Sequence, residues 1–256
     1  MKKYFWLLWL TPALIFAQSS RVNDHNSIGW LAYSGTFQLT EKIGVHTEYQ
    51  WRRTEFLENW QQSLLRVGVN YKLTPDMTAR IGYAWAETFA YGDIPLNGFG
   101  KTFTEHRAYE MLQINTKVKP FDLSHRLMLE QRWVGRFDAA DSDTEDEFLY
   151  TNRIRYMMRW QLPLKKTGDR IPYLAVYDEI FIGFGNNMGE NIFDQNRLGI
   201  LIGCPVTKSL KIEGGYLNQI VQYGREIDGQ NAFQKNNGFI VSALFNIDLR
   251  KKTPAE

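Results

Sequence analysis

The chain has 256 residues, and its 30 Lys and Arg against 28 Asp and Glu give a formal net charge of only +2. This balance, without a long block of one charge sign, gives no indication of nucleic-acid binding. The single cysteine, Cys204, excludes an internal disulfide, and we interpret it as an inert apolar side chain.

The first residues have the order of an export signal. Lys2 and Lys3 precede an apolar run at 4–16, which the small residue Ala17 ends. The run is shorter than the roughly 20 residues that a membrane-spanning helix needs, so we expect cleavage after Ala17. We expect four segments: a signal peptide at 1–17, a short N-terminal segment at 18–27, a β-barrel at 28–250 and a polar tail at 251–256.

The rest of the chain alternates between large apolar and polar side chains with a period of two, which predicts β-strands. The runs lie at 28–40, 42–54, 60–73, 77–91, 101–119, 124–137, 147–162, 171–184, 192–206, 209–225 and 237–250. The run at 101–119 alternates poorly, and its faces stay unassigned. The runs number eleven, but single-chain bacterial barrels normally have an even number, so we expect ten or twelve strands.

The connections between these runs fall into two groups. Short ones lie at 74–76, 120–123 and 207–208, with a medium one at 162–170; longer ones, rich in Gly, Asn and Asp, lie at 92–100, 138–147, 185–191 and 226–237. Short turns at one end and long loops at the other are typical of outer-membrane barrels.

The polar faces of the strands are rich in Arg with Glu and Gln and contain little Lys. An arginine and carboxylate lattice suits an enclosed interior, where every donor needs a partner. Trp85, Trp133 and Trp160 on the apolar faces fit anchors at a membrane interface. We therefore predict an all-β, antiparallel up-and-down transmembrane β-barrel of about 10–12 strands. It would lie in the outer membrane of a Gram-negative bacterium, contact outer-membrane lipids and be inserted by the barrel assembly machinery.

The strongest candidate site is the polar set that would line the lumen. Because a barrel of this size has little internal space, we favour a plug of ion pairs and amides over a narrow conduit or an arginine-lined anion site. The set comprises Glu48, Gln50, Arg52, Arg66, Arg126, Glu130, Arg132, Arg153, Arg155, Arg159, Glu179, Gln195 and Arg197.

The histidines do not indicate catalysis. Ser124 and His125 are adjacent, so on a strand they point to opposite faces and cannot pair. We find no zinc-ligand spacing and no phosphate-binding loop, and we expect no catalytic residue, metal or cofactor. Two alternatives stay open. One is a lipid-modifying hydrolase or acyltransferase at the lumen mouth, which needs Ser, His and an acid together. The other is a secreted soluble barrel whose apolar faces surround an apolar ligand.

Several stretches, in this order and spacing, resemble the bacterial family known as domain of unknown function 2490. They lie at 48–53, 105–107 with Glu110, 125–133, 153–156, 178–181, 194–197 and 215–219. The resemblance implies an exported outer-membrane barrel of uncharacterised role, and it brings no catalytic residue. Many barrels end on an aromatic residue that the assembly machinery recognises, whereas a polar tail follows here. Two alternatives stay open: Phe245 or Leu249 takes that role, or the tail is trimmed.

Overall fold

The computed structural model describes residues 21–165, 167–168 and 170–250, which form eleven β-strands. The strands are β1 (Val22–Gln38), β2 (Ile43–Thr54), β3 (Asn59–Thr74), β4 (Met77–Thr88), β5 (Phe103–Val118), β6 (Phe121–Arg136), β7 (Glu147–Pro163), β8 (Tyr173–Phe184), β9 (Phe193–Pro205), β10 (Leu210–Ile227) and β11 (Gln230–Asp248). No helix among these residues is long and apolar enough to cross a membrane. The expected signal peptide and polar tail lie outside the described residues.

The strands close into a single barrel in which each strand pairs with its neighbours in sequence. All these pairs are antiparallel except the closing one, where β1 and β11 pair in parallel from Val22 opposite Ala232 to Gln38 opposite Asp248. The predicted all-β up-and-down barrel is confirmed, but the expectation of an even strand number is wrong. An odd number makes the first and last strands run in the same direction, and a parallel ladder satisfies both edges.

Two strand boundaries differ markedly from the predicted ones, and the others differ by three residues or fewer. β1 begins at Val22, six residues before the expected position, and β11 begins at Gln230, seven residues before it. The predicted long loop at 226–237 is therefore wrong. Asp228 and Gly229 form a two-residue turn with φ of 51° and 69°, the conformation that Asp-Gly favours in a tight β-hairpin.

The two ends of the barrel differ in their connections. One end, called the turn end, carries residues 39–42, 75–76, 119–120, 164–165, 167–168, 170–172 and 206–209. The other, called the loop end, carries 55–58, 89–102, 137–146, 185–192 and 228–229. The three longest connections of the loop end were predicted as long loops. Because β1 and β11 are parallel, Val22 lies at the loop end and Asp248 at the turn end.

The barrel has an apolar outside and a polar inside. Ile81 and Ile202 on the outer face expose 65% and 60% of their surface, whereas the inward side chains of Glu130 and Gln234 are fully buried. A soluble β-barrel with an apolar core has the opposite arrangement. In this barrel the buried polar and charged side chains, which are the candidates for a functional site, face the lumen.

The poor alternation of β5 has a structural reason. Its inward positions include the large apolar side chains of Tyr109 and Met111, while His106 and Glu110 lie on the outer face. Tyr109 fits in the lumen because Gly82 on the neighbouring strand has no side chain; a Cβ there would lie 2.6 Å from the tyrosine ring. Both faces of β5 are therefore mixed in polarity, which hides the period of two.

Candidate functional site in the barrel lumen

A continuous chain of alternating charges crosses the lumen between β5 and β9. Each of its four carboxylates lies between two arginines, with N–O distances of 2.5–3.3 Å. We call this set the ion-pair chain; in order it comprises Arg107, Glu105, Arg132, Asp194, Arg153, Glu130, Arg155, Glu179 and Arg126.

Strand geometry explains how this chain forms. Arg153 and Arg155 occupy successive inward positions of β7, because side chains two residues apart share a face. Glu130 lies directly opposite Arg153 on β6, and its two oxygens accept hydrogen bonds from Arg153 Nε and Arg155 Nη1, both at 2.7 Å. On the other side, Glu179 of β8 accepts from Arg155 at 2.8 Å. The cross-strand register thus gives each charge a partner.

Two further arginine–glutamate pairs lie inside the described part of the lumen, apart from the ion-pair chain. Arg66 on β3 donates to Glu48 on β2 at 2.6 Å, and the other oxygen of Glu48 lies 3.3 Å from His46. Nearer the turn end, Arg159 pairs with Glu213, which also accepts a hydrogen bond of 2.6 Å from the Tyr173 hydroxyl.

A neutral network fills the lumen beside β1, β3, β10 and β11. We call it the amide network; it comprises Trp30, Gln61, Tyr91, Gln219, Gln234 and Asn236. Tyr91 lies at the centre of this network. It belongs to the β4–β5 loop, and its side chain is buried inside the loop end of the barrel. Its hydroxyl donates to Gln234 at 2.6 Å and accepts from Gln61 at 3.0 Å. The amide network therefore ties a long loop to the barrel wall.

Arginines stacked on aromatic rings form a partition across the lumen. The guanidinium carbons of Arg52 and Arg197 lie 4.1 and 5.0 Å from the Trp30 ring centroid. Arg155 and Arg197 lie 4.4 and 4.7 Å from that of Phe181. The partition separates a cavity of about 240 Å³ at the loop end from one of about 590 Å³ at the turn end, and Arg197 borders both.

All thirteen side chains predicted for the lumen lie on its inward side. The ion-pair chain holds Arg126, Glu130, Arg132, Arg153, Arg155 and Glu179; the separate pairs hold Glu48, Arg66 and Arg159; Gln50, Arg52, Gln195 and Arg197 lie at or beside the partition. Sequence reasoning missed the amide network and several charged side chains of the lumen. Among these are Asp24, Arg80, Glu105, Arg107, Asp194 and Glu213.

The missed residues carried weak sequence signals. Glu105 and Arg107 are two residues apart, as inward neighbours must be, but they lie in the poorly alternating β5. Gln234 and Asn236 have the same spacing, but they fall in the stretch that was interpreted as a long loop. An Asp-Gly turn at 228–229 would have placed both amides on a strand.

Three of the four histidines contact groups other than serine. His46 contacts Glu48 in the lumen, whereas His106 and His125 lie on the outer face, where their Nδ1 atoms are 2.5 and 2.7 Å from the hydroxyls of Tyr83 and Tyr156. No hydrogen bond between a histidine and a serine occurs among the residues that the structure describes. In the same ranges, no group of three or more His, Cys, Asp or Glu side chains is arranged to hold a metal ion.

These features define a closed, eleven-stranded β-barrel with an apolar outer surface and a packed, charged interior. The chain belongs to the protein family of unknown function DUF2490, whose model matches residues 28–230. The resemblance inferred from the sequence is thus confirmed. No curated protein and no solved structure matches the chain.

Proposed function

We propose that the protein is an outer-membrane β-barrel of a Gram-negative bacterium whose lumen is closed at its middle, so that it offers two vestibules instead of an open channel. The sidedness of the barrel carries this proposal. Outward side chains such as Val69, Ile81 and Ile202 need an apolar environment around the barrel, and a bilayer supplies it. A soluble barrel with an apolar ligand would need these side chains to point inward.

Aromatic side chains at both ends of the barrel support the membrane placement. Near the loop end, Trp60 lies 5.9 Å from Trp51 and 5.2 Å from Phe89, measured between ring centroids. Near the turn end, Phe121 and Trp160 contact each other edge to face at 5.7 Å. Aromatic girdles of this kind form where a barrel meets the two polar surfaces of a bilayer. Outer-membrane lipids and the barrel assembly machinery are accordingly the partners that we propose.

The partition is the reason for a closed lumen. Trp30 and Phe181 are almost fully buried, and arginines that are themselves held by carboxylates or amides pack against both rings. An ion that crossed this layer would have to displace bonded guanidinium groups from a low-dielectric interior. The described residues also offer no serine and histidine pair, so we do not propose a hydrolase. The protein is better suited to a structural or ligand-holding role than to free conduction.

Planar-bilayer recording of the refolded chain tests this proposal. We expect a flat current for the native chain and stepwise currents for a Trp30→Ala, Phe181→Ala double variant, which removes both rings of the partition. Flotation of the same samples with liposomes and resistance to carbonate extraction show whether each chain has inserted. Stepwise currents from the native chain would contradict a closed lumen. Recovery of the native chain in the soluble fraction would contradict the membrane placement.

A further inference from the structure

The loop-end cavity has a strong excess of positive charge. Seven arginines and two carboxylates line it, which is a formal excess of five positive charges (7 − 2). The turn-end cavity is closer to balance, because seven Lys and Arg side chains face five carboxylates, an excess of two (7 − 5). The two carboxylates of the loop-end cavity, Glu105 and Asp194, are already engaged within the ion-pair chain.

Four of the lining arginines form no ion pair among the described residues, and two of these, Arg52 and Arg197, lie against the partition. Arg52 is buried, and its guanidinium donates only to amide oxygens, at 2.6 and 2.9 Å to Gln50 and 2.6 Å to Gln62. Arg197 pairs with Gln195, whose amide oxygen, in the orientation that satisfies both groups, lies 2.8 Å from Arg197 Nη2. Arg197 is half-buried, and Glu179, which lies opposite it on β8, forms its ion pairs with Arg126 and Arg155 instead. A cation that is removed from water and has only neutral groups within hydrogen-bond distance is costly, because its desolvation is poorly compensated.

Both arginines are held in position before any ligand arrives. They lie over the same indole, that of Trp30, and the indole Nε1 is fixed by a hydrogen bond of 2.6 Å to Gln61. Stacking on an aromatic ring fixes the plane of a guanidinium. Arg52 uses three of its five N–H groups on Gln50 and Gln62, which leaves two for an anion. A prearranged pair of this kind loses little conformational freedom on binding, which favours affinity.

We infer that the loop-end cavity is a binding site for a small oxyanion, a carboxylate or a phosphate group, which Arg52 and Arg197 hold. The oxyanion supplies the counter-charge that both arginines lack, and planar guanidinium groups match its geometry through paired hydrogen bonds. Gln219 and Gln222 also line the cavity, so its wall beside the arginines is polar and neutral. The volume of about 240 Å³ suits a small molecule and not a polymer chain. The inference goes beyond the proposed function, since it needs the cavity but not the bilayer.

Calorimetric titration of the full chain, refolded in detergent at low ionic strength, tests the site with two separate probes, inorganic phosphate and succinate. We expect saturable binding of at least one probe, and the two arms distinguish a phosphate from a carboxylate ligand. Arg52→Gln and Arg197→Gln should each weaken binding at least about tenfold, because each removes a charge-assisted hydrogen bond. Arg52→Lys keeps the charge without the fork and should lose less.

Arg159→Gln is the matched control, because it removes an arginine from the turn-end cavity only and should bind the probe within about twofold of the native chain. Heat-modifiable gel mobility verifies that each variant is folded, and a glutamine variant that fails to fold is replaced by the lysine variant at the same position. Absence of binding for both probes would overturn the inference. So would unchanged affinity in both Arg52 and Arg197 variants, or an equal loss in the Arg159 control. None of these results depends on conductance or membrane insertion.

Discussion

The two sides of the lumen are built on different chemistry. Between β5 and β9 the ion-pair chain places every carboxylate between two arginines. Beside β1, β3, β10 and β11 the members of the amide network are all neutral, and a single carboxylate, Asp24, lies at its edge, 3.5 Å from Gln234. In a low-dielectric interior, removing the partner of a charged group costs several kcal/mol of stability, because a charge is left buried and unpaired. Removing one hydrogen bond between neutral amides costs less. Arg52 and Arg197 lie where the two sides meet, which explains why their hydrogen bonds end on amides.

The difference also concerns what each side holds in place. The ion-pair chain links five neighbouring strands, so a shift of register by one residue would turn its charges outward. The amide network instead joins strands to the β4–β5 loop through Tyr91. The charged side therefore specifies the barrel, and the neutral side positions a loop.

The largest effect should follow from removing one carboxylate of the ion-pair chain. Glu130→Gln leaves Arg153 and Arg155, both buried, with one fewer counter-charge. We expect the free energy of unfolding to fall by about 3–5 kcal/mol, because a buried ion pair has lost a charged partner. Urea unfolding of the chain in detergent micelles, followed by gel mobility, measures this loss.

Glu110→Gln is the matched control for this prediction, because Glu110 lies on the outer face one strand away. Its carboxylate accepts a single hydrogen bond of 3.2 Å from Gln131. The same substitution there should change the free energy of unfolding by less than about 1 kcal/mol. If Glu130→Gln and Glu110→Gln lowered the free energy of unfolding equally, burial within the ion-pair chain would not explain the effect of Glu130→Gln.

A smaller loss is expected when the amide network is interrupted. Gln234→Leu keeps most of the side-chain volume but removes the oxygen that accepts from the Tyr91 hydroxyl. The Asp24 carboxylate also loses a long hydrogen bond of 3.5 Å, but no ion pair is broken, so we expect a loss of about 1–3 kcal/mol in the same urea assay. The loss should be insensitive to added salt, since no ion pair is involved. A loss as large as that of Glu130→Gln would remove the distinction between the two sides of the lumen.

The charged side of the lumen was largely predictable from the sequence, and the neutral side was not. Strands such as β7 alternate arginines with apolar side chains, so the period of two alone indicates which residues point inward. The amide network depends on Tyr91, a loop residue, and on Gln234 and Asn236 from a strand that was interpreted as a loop. Contacts between a loop and distant strands leave no periodic signal in a sequence.

Strand number shows a different kind of error. Counting alternating runs gave eleven, and a general rule about even numbers replaced that count with ten or twelve. The closing ladder between β1 and β11 is parallel over its whole length, a pairing that alternation within single strands cannot reveal. The count of alternating runs was therefore correct, and the expectation of an even number was wrong. How the first and last strands pair is a property of the closed barrel, and neither the count nor the expectation contains it.

The smallest effect concerns the contact between the amide network and the β4–β5 loop, and it depends on pH. Burial raises the pKa of Tyr91 above its ordinary value, so the docked hydroxyl stays protonated at a pH where a freed one ionises. Docking is consequently fully stable below the ordinary tyrosine pKa of about 10 and is lost as the pH rises above it. Pulse proteolysis with an alkaline-active protease at residues 92–100 should therefore accelerate in the native chain only as the pH rises above about 10.

Tyr91→Phe supplies the control, because it removes the ionisable hydroxyl and its three hydrogen bonds but keeps the ring in the barrel mouth. Cleavage of this variant should already be roughly fivefold faster at neutral pH, as expected for a loss of about 1 kcal/mol, and should show no further alkaline step. An identical alkaline step in both chains would assign the titration to another group. It would also mean that the neutral side of the lumen does not hold the loop through Tyr91.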